Sequence, residues 1–457
     1  MRKPHAPYAP PESPRARHRA ILTLSAPLIA GMISQNIVNL VDTAMVGGVG
    51  TQALASVGIA SFLHFFCTAF LMGLSVGVQT LTARWRGAGR ADYAAPLNAG
   101  LLLVTLVGLP LWLGLSSGAE WLMSQTSGDV GVQRDGALYL QARLWGMVAL
   151  GANFAFRSYW SAVERAALYF MTLLVMHATN IALNWVLIYG HLGAPALGVE
   201  GAGIGTAVSM WVGFAMHLSL ALRAARPFGF LRALPTRDEW RELLTMSLPS
   251  GVERTLFALG MTIFMSLVGA LGAPALAASN VLLNLFLTAL LPAMGFGIAA
   301  STFVARSVGA KQPHEARAWH KSVTLWALGA LALLSLAFGL APEEISRAFT
   351  HDPEALAICV PTLRLMALVL PMEAYHMVTY QSLLGLGDNR FVMLVSVAAQ
   401  WVFTLPVVYL LTAHLGWGAW WVWGAHFAAR GGQALCYGVR WSARLRRIEE
   451  APAAPAP

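Results

Sequence analysis

Apolar stretches of twenty or more residues, separated by short polar connectors, recur from about residue 20 to about residue 440. At about 1.5 Å per helical residue, each is long enough to cross roughly 30 Å of hydrocarbon. The pattern predicts twelve spanning helices, over approximately 20–45, 52–80, 94–117, 135–156, 166–190, 198–222, 243–270, 274–304, 318–341, 355–382, 390–413 and 416–440.

The pattern also repeats. A shift of 222 residues lays LTLSAPLIAG over LTMSLPSGVE, so that Leu22, Thr23, Ser25 and Pro27 meet Leu244, Thr245, Ser247 and Pro249. The register continues without gaps through Val46/Val268, Gly50/Gly272, Met72/Met294, Gly73/Gly295, Arg84/Arg306 and Gly87/Gly309. Matches of Pro, Gly and Arg over about 70 residues do not arise from apolar composition alone. An even number of helices per half makes the halves parallel repeats. The expected fold class is therefore all-α, a polytopic membrane protein of twelve transmembrane helices in two pseudo-symmetric six-helix lobes. Its parts are a tail at 1–19, a lobe at 20–222, an inter-lobe loop at 223–242, a lobe at 243–441 and a tail at 442–457. Two such halves rocking around a central site are the physics of a secondary transporter.

Composition agrees. Hydrophobic residues make up 57% of the chain and charged residues 11%, far below the roughly 25% charged of soluble chains. The connectors alternate in charge: those near Arg84/Arg86/Arg90, Arg223–Arg241 and Arg306–Lys321 are basic, and those near Glu120/Asp129 and Glu343/Glu344 are acidic. The positive-inside rule then expects both termini and the 223–242 loop in the cytoplasm. The net charge of +9 comes from these loops and is not read as a nucleic-acid signal. Cys67, Cys359 and Cys436 have no metal spacing. No phosphate-binding G-x-x-x-x-G-K-[ST] motif occurs, which points away from ATP and toward an ion gradient, or the substrate's own gradient, as the energy source, and the chain is read as a transporter and not an enzyme.

Polar residues inside the spans mark the candidate site. Gln35, Asn39 and Asp42 share one helix face at i, i+4 and i+7. An acid in a membrane helix usually faces a cavity or partner on an ion or proton path. Asp42 also lies roughly 33 Å along its helix, where a headgroup position is the competing reading. On the fifth span His177, Asn180 and Asn184 form a second stripe, with Asn184 at a depth similar to Asp42, so a polar pocket between helices 1 and 5 is expected. Helix-to-helix hydrogen bonding is the plainer use of such amides.

In the second half, Glu253 and Glu373 fall about 15 Å deep, near the midplane. Asn280 and Asn284 on helix 8 are at i, i+4, and Asn284 is placed at a similar depth. Two carboxylates with amide oxygens there would bind Na⁺ or share a proton, unless Arg254 neutralises Glu373. Arg143 and Arg364 are expected to snorkel outward. Pro27, Pro249 and Pro371 bend the same helices.

These stretches resemble the multidrug and toxic compound extrusion (MATE) family, nearer its NorM-like branch, from about residue 20 to 440. They are LSAPLIAGMISQNIVNLVDTAMVGGVG, LPSGVERTLFALG, LGAPALAASNVLLN, ASTFVARSVGAKQPHEA and LPMEAYHMVTYQSLLGLGDNR. The resemblance implies two V-shaped lobes and export of bulky, often cationic, amphipathic compounds in exchange for Na⁺ or H⁺. By position, Asp42 matches the family's first-helix acid and Glu253 its seventh-helix glutamate. Glu373 stands where the branch has aspartate, and Asn184 where other members have aspartate. The partners expected are small organic cations, a monovalent cation and the lipid bilayer, with no nucleic acid and no cofactor beyond the coupling ion, and the chain is read as a monomer. The competing reading is a lipid-carrier flippase of a related two-lobe fold, which would call for a cationic cavity rather than midplane acids.

Overall fold

The computed structural model describes residues 10, 11 and 13–450, and among them the regular structure is helical throughout. Twelve principal helices follow the twelve expected spans. They are α1 (Pro14–Gly47), α2 (Thr51–Gly87), α3 (Ala95–Ser117), α4 (Val130–Leu144, continued by Met147–Ala162), α5 (Ala166–Tyr189) and α6 (Gly198–Ala224), then α7 (Arg237–Gly269), α8 (Ala273–Gly309), α9 (Pro313–Leu340), α10 (Pro353–Gly385), α11 (Asn389–His414) and α12 (Ala419–Glu450). The repeat extends to detail: short helices, Ala119–Ser124 and Pro342–Arg347, precede α4 and α10.

Ten of these helices are long and apolar enough to cross a membrane by composition alone. The other two have visible reasons. α4 carries Arg134, Asp135 and Arg143 and breaks at Trp145–Gly146. α12 carries Arg430 and Arg440, and its last turns are strongly basic.

The ends differ from the expected tails. α1 begins at Pro14 and α12 continues to Glu450. The rest of both tails, residues 1–9, 12 and 451–457, lies outside the described residues.

The chain forms two compact units, and their boundaries are not those of the repeat. Ala26–Thr82 and Arg90–Gly251 belong to the first; residues 13–25, Ala83–Gly89 and the chain from Val252 belong to the second.

In the first unit the opening half of α7 packs on α2. α2 breaks at Ser75, and the Leu74 carbonyl accepts the Ser247 hydroxyl at 2.7 Å. A Cβ at Gly73 would stand 2.4 Å from the Ser250 carbonyl oxygen, so only glycine permits this crossing. The 223–242 connector is docked rather than loose. Asn98 at the start of α3 donates to the Gly229 carbonyl at 2.9 Å and accepts from the Leu231 N–H at 2.9 Å, and Tyr93 stacks on Phe228. In the neighbouring connector, Arg90 grips Asp92 through two hydrogen bonds of 2.9 and 2.7 Å and holds that carboxyl below its usual range.

In the second unit the ends of α2 and α8 cross reciprocally. A Cβ at Gly87 would come 2.0 Å from the Arg306 carbonyl oxygen, and one at Gly309 would come 1.9 Å from that of Arg84. These are the repeat-related Arg and Gly positions, and the crossing explains why both repeats carry the glycine. The start of α1 docks on α9: Arg17 donates to both Glu315 oxygens at 3.1 and 2.9 Å and lies over the Trp319 ring. Asp388, in the GLGDNR turn between α10 and α11, accepts from Arg440 at 2.6 and 3.2 Å and so ties α12 to that turn.

Candidate functional site

The first unit brings helices α1 and α5 together, as the two polar stripes predict. Asn184 donates to Asp42 at 2.8 Å. Asn184 is fully buried because α6 presents a glycine opposite it, where a Cβ at Gly205 would sit 2.3 Å from the Asn184 side-chain oxygen. His177 meets the Ser34 hydroxyl at 3.2 Å. Asn180 turns instead to α6 and donates to Thr206 at 3.2 Å, a contact of the kind that joins membrane helices. Gln35 donates to Asn39 at 3.1 Å on the exposed side of α1, and neither amide bonds to Asp42.

Arg143 departs from the expected outward snorkelling. It donates to Ser61 on α2 at 2.9 Å and to the Tyr139 hydroxyl on its own helix, and its charge acts on Asp42 and on buried His64. The break after Leu144 re-aims the chain directly beyond it. Asp42 is half-buried, so its carboxylate keeps an accessible side while Asn184 and the Arg143 field hold it from within. By contrast Arg364 on α10 is exposed, as an interfacial arginine should be.

The second unit places Glu253 on α7 and Glu373 on α10 in the interior, 8% and 0% exposed. Each has its own partners. Glu253 accepts from the Tyr380 hydroxyl on α10 and from the Ser396 hydroxyl on α11, both at 2.9 Å. Ser396 is joined in turn to the Tyr437 hydroxyl on α12 at 2.8 Å. Immediately beyond Ser396, α11 widens into π-helical turns over Ala398–Thr404. Such widened turns are frequent at functional positions.

Glu373 is held by Arg430 of α12 in a fork of two hydrogen bonds, Nε to Oε1 at 2.7 Å and Nη2 to Oε2 at 2.6 Å. This corrects the expectation that Arg254 would decide the charge of Glu373. Arg254 acts on Glu253 instead, and Arg430 acts on both acids. His376 completes the cluster: Arg430 Nη2 lies 3.1 Å from its Nδ1, and its Nε2 lies 3.1 Å from the Gln433 amide oxygen. A guanidinium only donates, so Nδ1 is the accepting nitrogen and the ring proton sits on Nε2, where Gln433 receives it. His376 is therefore neutral in this arrangement.

Asn280 and Asn284 do not join these acids. Both are exposed, and each donates to its own helix backbone, at Leu276 and Asn280, at 3.0 and 2.9 Å. The i, i+4 spacing placed them on one face, but that face is not the one that packs inward. Arg430, His376, Gln433, Tyr380, Ser396 and Tyr437 were not foreseen. The available signal was a lone arginine in the middle of the span at 416–440, together with Glu373 and His376 at i, i+3.

The fold and the buried charges define a multi-pass helical membrane protein built on a repeated six-helix plan. The MatE family model matches residues 27–186 and again 249–410, two matches that begin at the offset of the internal repeat. The chain belongs to this family, and it is a membrane transporter rather than an enzyme. Among relatives, it is 32% identical to a probable multidrug resistance protein NorM of Synechococcus sp., covering 90% of each chain. It is 29% identical to the multidrug resistance protein NorM of Burkholderia vietnamiensis, covering 94% of each. Among solved structures, an outward-facing multidrug resistance MATE family transporter of the MOP superfamily superposes with a TM-score of 0.87 at 20% identity, over 95% of this chain and 97% of that one. A MOP superfamily transporter from Pyrococcus furiosus, described as having a binding pocket of reverse polarity, gives a TM-score of 0.86 at 20% identity over the same shares.

Proposed function

We propose that the chain is a secondary active multidrug exporter of a bacterial inner membrane, moving bulky cationic and amphipathic compounds outward in exchange for Na⁺ or H⁺ by alternating access. The observation that carries the proposal is Asp42: a carboxylate on a membrane helix, half-buried, held by Asn184 at 2.8 Å, in a chain of the MatE family. A group with that placement can give its charge to an ion in one state and to an organic cation in the other. Each ligand then shifts the balance between the two states, which is all that exchange requires. The NorM relatives, named for multidrug resistance, support the substrate class.

In proteoliposomes, an imposed inward gradient of H⁺ or Na⁺ is expected to drive an organic cation dye against its own gradient. Dye movement that ignores both gradients would overturn the reading. The charge alternation further supports cytoplasmic termini and a cytoplasmic 223–242 loop. Single cysteines at Glu344 and Arg232 test this: a membrane-impermeant maleimide added from the periplasmic side should label the first and spare the second. The reverse labelling would invert the orientation.

A further inference from the structure

Glu253 and Glu373 bring four carboxylate oxygens into the interior of the second unit, and all four already accept hydrogen bonds. Two accept from hydroxyl groups, of Tyr380 and Ser396. The other two accept from a single guanidinium, in the parallel fork that arginine forms with carboxylates at its best geometry. That guanidinium belongs to a side chain only 13% exposed, facing a carboxylate that is fully buried. It reaches Glu373 from α12, one helix turn before Gln433, and His376 Nδ1 accepts from it as well.

We propose that Arg430 is a tethered cation occupying the place where a metal ion would otherwise compensate Glu373. The Glu253–Glu373 cluster is then closed to Na⁺, and Arg430 sets the ion selectivity of this half of the transporter. The inference deepens the exchange reading, on which it rests, by choosing between its two ions for the second unit.

Charge and geometry both bear on it. A Na⁺ ion needs several oxygen ligands directed at one point, and negative charge to repay its lost hydration. Glu373 offers neither while both its oxygens face N–H groups and its charge is matched by a permanent cation, since arginine does not deprotonate in proteins. The two oxygens of Glu253 receive hydroxyl hydrogen bonds, and two arginines, Arg254 and Arg430, act on it. A Na⁺ ion there would meet the field of two fixed positive charges. A proton is a different matter, because it needs only one oxygen and no coordination shell. His376 adds a consequence. A proton on Nδ1 would remove the acceptor that Arg430 uses there and leave a donor 3.4 Å from Glu373 Oε2.

The test reads Na⁺ recognition directly on the full-length protein in detergent, by thermal unfolding and by dye release at fixed pH, with NaCl replaced by choline chloride at constant ionic strength. Any difference the wild-type protein shows between the two salts, in midpoint or in release rate, is expected to survive Glu253→Gln unchanged, because the cluster takes no part in it. Arg430→Gln is expected to gain a Na⁺-dependent rise in midpoint, as ligand binding to the folded state requires. It should also gain an acceleration of release of about tenfold or more, and Glu373→Gln/Arg430→Gln should lose both effects. Arg430→Lys keeps a tethered charge, so it should fold and respond to Na⁺ no more than the wild type does, even if Arg430→Gln cannot be purified.

The proposal is overturned by a wild-type response to Na⁺ that Glu253→Gln or Glu373→Gln removes. It is also overturned by a folded Arg430→Gln that responds to Na⁺ no more than the wild type does, or by an Arg430→Lys that responds more. If the wild-type protein binds and moves no organic cation, the exporter reading fails instead. The unfolding midpoints, measured without dye, still decide the role of Arg430.

Discussion

Arg430→Ala is expected to destabilise the protein by about 3–5 kcal/mol, the usual penalty for removing one partner of a buried ion pair. The cause is what remains. Glu373 is 0% exposed and takes both of its strong hydrogen bonds from Arg430. Without Arg430 it must stay charged and unpaired in a low-dielectric interior, or take up a proton. Glu373→Gln alone should cost a comparable amount, because it leaves the guanidinium facing a neutral amide. The pair as a whole is another matter, since two charges must be desolvated to form it and a neutral replacement avoids that cost. Glu373→Gln/Arg430→Gln should therefore be clearly more stable than the sum of the single changes implies. Thermal unfolding of the wild type, Glu373→Gln, Arg430→Gln and the double variant in detergent forms the double-mutant cycle that measures this coupling. Additive single effects, or an Arg430→Ala protein as stable as wild type, would show that the fork does not hold α10 to α12.

The same pair marks the limit of what the chain discloses before it folds. Apolar length and the 222-residue register, from Leu22 to Leu244, disclosed the helices and their duplication, because both properties are written along the chain. The α1 and α5 stripes disclosed the Asp42–Asn184 contact, because a 3.6-residue period puts Asp42 on a polar face and Asn184 on another. A stripe does not say what its face will meet, and Asn280 and Asn284 are exposed and donate to their own helix backbone rather than meeting the acids.

Arg430 is a single charge averaged into an apolar window, and its meaning depends on Glu373, 57 residues away on another helix. Of the two helices outside the ten that pass on length and apolarity, α4 is divided at Trp145–Gly146 into pieces of 15 and 16 residues, and the opening stretch of α12 mixes Trp, Gly, His and Gln with Arg430. The division at Gly251 rather than in the 223–242 connector is likewise tertiary. It follows from the crossing of Gly73 on Ser250 and from Asn98 fastening the connector to the first unit.

Asp42→Asn is expected to reach the membrane in normal amounts and to lose active export of organic cations by about tenfold or more, the equivalent of some 1.4 kcal/mol of lost ligand discrimination. The substitution preserves shape and keeps an oxygen for the Asn184 amide, so the 2.8 Å contact can be remade. What it removes is the negative charge that an ion and an organic cation would compete for. A structural alternative follows from the same geometry, because the Arg143 charge acts on Asp42 and loses a counterpart when Asp42 becomes neutral. The two roles separate by measurement. A structural role lowers the unfolding midpoint of Asp42→Asn, and Arg143→Gln combined with it should restore both stability and export. An exchange role leaves the midpoint of Asp42→Asn near that of wild type, abolishes gradient-driven dye movement, and is not rescued by Arg143→Gln. Asn184→Ala, which removes a donor but leaves the charge, should weaken export without abolishing it. Cells expressing Asp42→Asn at wild-type level and exporting dye at the wild-type rate would remove Asp42 from the exchange mechanism, and with it the observation on which the exporter reading rests.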